Sequence, residues 1–210
     1  FNYNSFDLTT VASTGLAFNS SANGFTTAEG GALNLITTNT ISSGVSSSSF
    51  TSGIDSTYDS YLFKCINIHP ATNNAHFTFQ GSTNGGSSYG LTITSAAFST
   101  EHNEADSSTD LSYQTGVDLA QSTNYQRLTS SNEYDNDNAA VAYLYLFSPS
   151  NTTFVKHFII RGNTVAQAYT VGTHIAGYFN TTSAINAIDF KMSSGNIDSG
   201  VIKMYGLSKS

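Results

Sequence analysis

The stretch from Tyr58 to Gly81, YDSYLFKCINIHPATNNAHFTFQG, constrains this chain more tightly than any other. It holds two apolar runs with a short polar connector between them. In the first, Tyr61, Phe63 and Cys65 alternate with Leu62, Lys64 and Ile66; in the second, Phe77 and Phe79 alternate with His76, Thr78 and Gln80. A strand sends successive side chains to opposite faces, so a period of two marks a strand with a buried side. The connector His69-Pro70-Ala71-Thr72-Asn73-Asn74 supplies the break, because proline cannot donate to a sheet ladder and asparagine tolerates turn geometry. The expectation is an antiparallel pair at the centre of a β-sandwich. The first run is apolar on both faces apart from Lys64 and Asn67, which predicts a central, covered strand.

The rest of the chain repeats this pattern at short spacing. Ala32 to Thr38 reads as a strand, and the low-complexity serine-rich tract from Ser42 to Ser49 reads as a linker or, preferred beside Phe50 and Ile54, as a polar edge strand. Tyr89 to Phe98 alternates loosely. Ala139 to Phe147, AAVAYLYLF, is the longest apolar run, and Phe154 to Ile160 is its expected hairpin partner across the turn at Pro149-Ser150-Asn151. Tyr169 to Val171 and His174 to Phe179 read as two short strands. Ile185 to Met192 sends Ile188, Phe190 and Met192 to one face, and Val201 to Leu207 closes the chain. Asp118-Leu119-Ala120-Gln121 is the one candidate helical turn. About eight to ten strands with turn signals between them predict an all-β antiparallel sandwich of jelly-roll type. Residues 50–210 are expected to form it, with 1–49 an N-terminal arm or extra strands used in assembly.

Composition supports a packed β protein. Only 10% of the 210 residues are charged while 12% are aromatic, so Ser, Thr, Asn and Gly must make most of the polar surface. Those residues suit strands and turns better than helices. The net charge is −7 with seven Lys and Arg spread thinly along the sequence, which argues against a nucleic-acid partner. No apolar run approaches the roughly 18 residues that span a bilayer as a helix, so no membrane partner is expected. The single cysteine, Cys65, lies in an apolar strand and reads as a small buried hydrophobe.

Chemistry-bearing residues are sparse. No two of His69, His76, His102, His157 and His174 have metal-ligand spacing, and there is neither a nucleophile elbow nor a phosphate loop. Two acidic loops stand out. In Ser130 to Asn138, Asp135, Asp137 and Asn138 offer oxygen ligands of the kind Ca²⁺ takes, but the segment lacks the glycine and the distal glutamate of an EF-hand loop. In Glu101 to Ser108, Glu101, Glu104 and Asp106 are the residue types of a glycosidase acid–base pair. Tyr89, Tyr113 and Tyr134 are candidates for stacking on sugar rings. For each, the simpler reading is a solvated loop or an ordinary surface tyrosine. The expectation is no catalytic residue, no cofactor and no bound metal.

From about Phe50 onward three segments are distinctive: Asn67-Ile68-His69-Pro70-Ala71-Thr72, Phe154-Val155-Lys156-His157-Phe158 and Ser194-Gly195-Asn196-Ile197-Asp198-Ser199-Gly200. On these marks the chain resembles a group of virion structural proteins of marine tailed bacteriophages. The resemblance covers roughly three quarters of the sequence. It implies a non-enzymatic virion protein on the particle surface, in capsid decoration or in a tail or fibre. By the same analogy it implies a homo-oligomer, a trimer first, contacting other virion proteins. The alternative is a glycan- or receptor-binding adhesin module that recognises a host surface glycan.

Overall fold

The computed structural model describes residues 15–18, 25–28 and 32–208. The described residues form strands and turns without a helix. The strands are β1 (Gly15–Phe18), β2 (Phe25–Ala28), β3 (Leu33–Ile41), β4 (Ser48–Phe50), β5 (Ser60–Pro70), β6 (Ala75–Ser82) and β7 (Ile93–Asn103). After them come β8 (Thr109–Tyr113), β9 (Gln126–Asn132), β10 (Ala140–Phe147), β11 (Lys156–Ala166), β12 (Tyr169–Phe179), β13 (Ala187–Met192) and β14 (Ile197–Leu207). An eight-stranded sheet, β3-β14-β5-β10-β11-β12-β7-β8, packs on a four-stranded sheet, β4-β13-β6-β9, and all pairings are antiparallel. The protein is an all-β antiparallel sandwich. The chain alternates between sheets: β3, β5, β10 and β14 lie in the large one, and β4, β6, β9 and β13 in the small one. This order is compatible with a jelly roll. The hairpins β7–β8 and β11–β12 are inserted between those strands and extend the large sheet beyond β10.

The organising stretch folds differently from the side-by-side pair expected. β5 lies between β14 and β10, while β6 lies in the other sheet between β13 and β9. The connector is a crossing from one sheet to the other. Its start is held by Pro70, which pairs with Ile197, and by the Ala71 N–H, which donates to the Asn196 carbonyl at 3.0 Å. The inward side chains of the two strands then meet across the core: Phe63 lies 5.4 Å from the Phe190 ring and Phe77 stacks on it at 5.6 Å. The expected central position of β5 holds, with Tyr61, Phe63 and Cys65 buried on its inner face and Leu62 buried on its outer face.

Three boundaries also move. β3 and β4 are edge strands of the two sheets, so the sandwich begins at Leu33 rather than at Phe50. Tyr169 to Phe179 is one strand. Asp118 to Gln121 is irregular instead of helical, because Ser95 and Leu119 bond each other through backbone and hydroxyl and tie the segment to β7.

Phenylalanines dominate the core. Phe79 meets Phe158 and Phe179 edge-on, with centroids at 5.3 and 5.9 Å, an arrangement that aromatic quadrupoles favour. Cys65 is buried and its thiol is pushed up by that burial, as expected of an inert packing residue. Lys156 is also fully buried. Its ammonium donates to the carbonyls of Phe154, Thr181 and Thr182 at 2.7, 3.4 and 3.2 Å, and burial lowers its pKa. At Gly162 of β11 a side chain would collide with the Leu128 carbonyl of β9, so the absence of a Cβ is what lets the small sheet close onto the extension.

Candidate functional site

Three regions gather polar or aromatic chemistry. The first is a rim at one end of the sandwich, where the two acidic loops come together. Glu104 shares a depression with Glu133, Asp135, Asp137 and Asn138. On the other side of Asp137 and Asn138 lies a second depression lined by Asn67, His69, Asp198 and Ser199. His69 sits 3.4 Å from the Asp198 carboxylate. Glu101 lies in β7 directly opposite Asp110 of β8, and Asp106 is engaged by His102 at 3.1 Å. Asp135, Asp137 and Glu104 are exposed. These carboxylates share a rim but do not converge: among the described residues no group of three His, Cys, Asp or Glu side chains is placed to hold a metal ion.

The second region is the outer face of the small sheet, where polar side chains are buried. Gln80, with no exposed surface, donates through Nε2 to the carbonyls of Leu91, Thr123 and Asn124 and accepts from the Gly81 N–H. Asp189, 3% exposed, accepts from Ser49 Oγ at 2.5 Å and from the Tyr125 hydroxyl at 3.0 Å. Lys191 places its ammonium 3.9 Å from the centre of the Tyr125 ring. Burial first, then the Asp189 charge, raises the Tyr125 phenol above its ordinary value. Tyr89 lines the same depression. The bonded partners of Gln80 and Asp189 lie within the chain, so this cluster fastens the loops over the sheet.

The third region is the outer face of the eight-stranded sheet, and it is open. Register places Leu35, Tyr205, Leu62, Tyr145, Ile159 and Ala176 in one row across successive strands. The next row begins Lys203, Lys64, Tyr143 and Arg161 and continues through His174 and Phe98 to Tyr113. Several side chains of these rows face solvent, Tyr113 at 57% exposed and Ile159 at 46%, and Leu111 on the same face is 69% exposed. Phe98 and His174 stack with centroids 4.8 Å apart and planes 8° apart. Lys64 approaches the Tyr143 ring at 5.7 Å. A shallow depression of about 330 Å³ lies among Ala96, Phe98, Tyr113, Ile159, His174 and Ala176, where the two alanines leave room beside the rings.

Comparisons with protein-family models, with curated proteins and with solved structures find no match. Function is therefore argued from the residues in place.

Of the candidate sugar-stacking tyrosines, Tyr113 lies on the open face, Tyr89 in the small-sheet cluster and Tyr134 on the acidic rim loop. The sequence reading missed Phe98, Tyr143, Arg161 and His174, because each comes from a different strand. The available signal was weak: β5 and β10 are apolar on both faces, which means either a second covering layer or an exposed apolar face.

Proposed function

We propose that this chain is a non-enzymatic structural protein of a phage virion, displayed on the particle surface as a capsid decoration or as a tail or fibre component. One observation carries the reading. β1 and β2 form a two-stranded sheet of their own, four residues per strand, and among the described residues they pair with no strand of the sandwich. An isolated hairpin of that size is marginal in water and needs a surface to lie on. A neighbouring copy or a supporting particle supplies one. The sandwich behind it, read as a jelly roll with a four-stranded extension, suits repeated packing. The exposed, dispersed carboxylates of the rim support the non-enzymatic part, since a glycosidase acid needs an apolar pocket to stay protonated.

Light scattering on the full chain and on a chain lacking residues 1–31, together with co-sedimentation with purified particles, tests the reading. A full-length oligomer, a trimer first, that sediments with particles and loses both properties on truncation is the expected result. A full-length monomer that ignores particles overturns it. Release of reducing ends from host surface polysaccharide, abolished by Glu104→Gln, overturns the non-enzymatic part.

A second reading, a glycan- or receptor-binding module, is favoured by the aromatic side chains exposed on the large sheet.

A further inference from the structure

We infer that the outer face of the eight-stranded sheet binds an anionic polysaccharide, one bearing uronate or sulfate groups, along the row that runs from Lys203 to Tyr113. The inference rests on the glycan-binding reading and adds the ligand's charge and its place.

Charge distribution is the first support. The chain has a net charge of −7 and only seven Lys and Arg. Lys203, Lys64 and Arg161 stand in one cross-strand row, two of them directly paired. No Asp or Glu occurs in this row or in the neighbouring row from Leu35 to Ala176. Asp118 stands at the far end, where it accepts the Tyr113 hydroxyl at 2.8 Å. The fold has thus collected a cationic strip on an acidic protein, and such a strip attracts and orients an anionic partner.

Alternation along the strip is the second support. Tyr143 lies between Lys64 and Arg161, and the stacked His174–Phe98 pair follows Arg161. A pyranose ring presents an apolar C–H face that packs on an aromatic ring, while its carboxylate or sulfate projects from the edge. Arg161 offers a planar fork that matches either group with two hydrogen bonds. Neighbouring strands lie about 4.8 Å apart, so seven strands give a strip roughly 29 Å long, room for several sugar units. The alanine-floored depression beside Phe98 gives one unit a recess. A nucleic acid would also stack, but it carries a phosphate at every nucleotide, and three cations in an acidic protein answer few of them.

The test titrates the full chain with polygalacturonate oligosaccharides and with dextran sulfate, against neutral dextran and a thymidine oligonucleotide. Binding of at least one anionic glycan is expected, weakening as salt is raised. The Lys64→Gln/Arg161→Gln double variant and Tyr143→Ala should each weaken it at least tenfold while thermal unfolding stays unchanged. Glu104→Gln, on the distant acidic rim, should leave it intact. Equal binding of neutral dextran overturns the inference and spares the glycan reading, and no binding of any glycan overturns both. Tighter binding of the oligonucleotide, or a self-associated form that the same variants dissociate, assigns the face to another occupant and overturns the inference. Co-sedimentation with particles reports on the virion reading separately.

Discussion

The two outer faces of this sandwich reverse the usual rule of burial. On the small sheet, outward side chains are polar and buried: Gln80, Thr78, Ser82 and Asp189 are all nearly inaccessible. On the large sheet, outward side chains include Ile159, Val141, Tyr143, Phe98 and Leu111, all exposed. A buried polar group and an exposed apolar patch are the two informative departures from an ordinary surface. They mean different things. The buried polar face is internally satisfied: Gln80 alone engages three loop carbonyls, and its amide would leave all three unpaired if removed. The exposed apolar face is covered only in part among the described residues: Leu62 is buried and Phe98 stacks on His174, while Ile159, Val141 and Leu111 stay open. One face is finished by the protein's own loops, and the other carries exposed apolar side chains of the kind that mark interaction sites.

The contrast can be broken at graded cost. The largest effect is expected in the core that both faces share. Phe79→Ala removes a ring packed on Phe158, Phe179 and Phe190, and should cost about 3–5 kcal/mol in urea denaturation. A change below about 1 kcal/mol would mean the two sheets do not close on that ring. Next comes Gln80→Ala. Removing the buried amide that ties three loop carbonyls to the sheet should cost about 1–3 kcal/mol, with the lost protection read by amide exchange in residues 91 and 123–125. If stability is unchanged, the loops over the small sheet are held by something else.

Acid sharpens the comparison further. His76 sits half-buried on the small sheet's outer side, and burial first, then the nearby Arg127 charge, lower its pKa below 6.5. The folded protein therefore prefers the neutral ring. Its contribution is fully present above the ordinary imidazole value and is lost as pH falls through the lowered one. Denaturation midpoints should drop as pH falls below the ordinary imidazole range of about 6.5, and His76→Asn should flatten that drop. An unaltered slope in the variant would show that the acid sensitivity does not come from His76. The smallest effect belongs to the open face: Ile159→Thr and Leu111→Ser should change stability by less than about 0.5 kcal/mol. A loss of 2 kcal/mol at either position would show that the face is covered in solution.

Much of the fold was legible because period two is a strong signal. It places Phe63, Phe77 and Phe79 inward, Ile188, Phe190 and Met192 on one face, and β10 beside β11, and the structure has each of these. It cannot distinguish a hairpin neighbour from a strand across the core, since both present the same inward rings. That is why β5 and β6 were expected in one sheet and lie in two. The site was less legible. The acidic loops were visible as runs, but only topology brings Glu104 beside Asp135. Lys156 gave no sign of its burial, because its partners are carbonyls, which every residue carries. The cationic and aromatic row was hidden most completely: three thinly spread cations looked like no patch until strand register aligned them.

The extension of the large sheet has a consequence for how the protein folds and evolves. β7–β8 and β11–β12 enter the chain at separate points, yet β12 pairs with β7 along its whole length, from Tyr169 opposite Asn103 to Phe179 opposite Ile93. Neither hairpin is a free-standing module. Deleting β7–β8 would bare the β12 edge, and deleting β11–β12 would leave β7 without its ladder partner and bare β10. The two insertions form one unit that must be gained or lost together. In folding, that seam joins segments far apart in sequence and must wait for the chain between them to be gathered in. Hydrogen exchange during refolding should therefore show β7 and β12 acquiring protection at the same moment, and later than the local hairpin β10–β11.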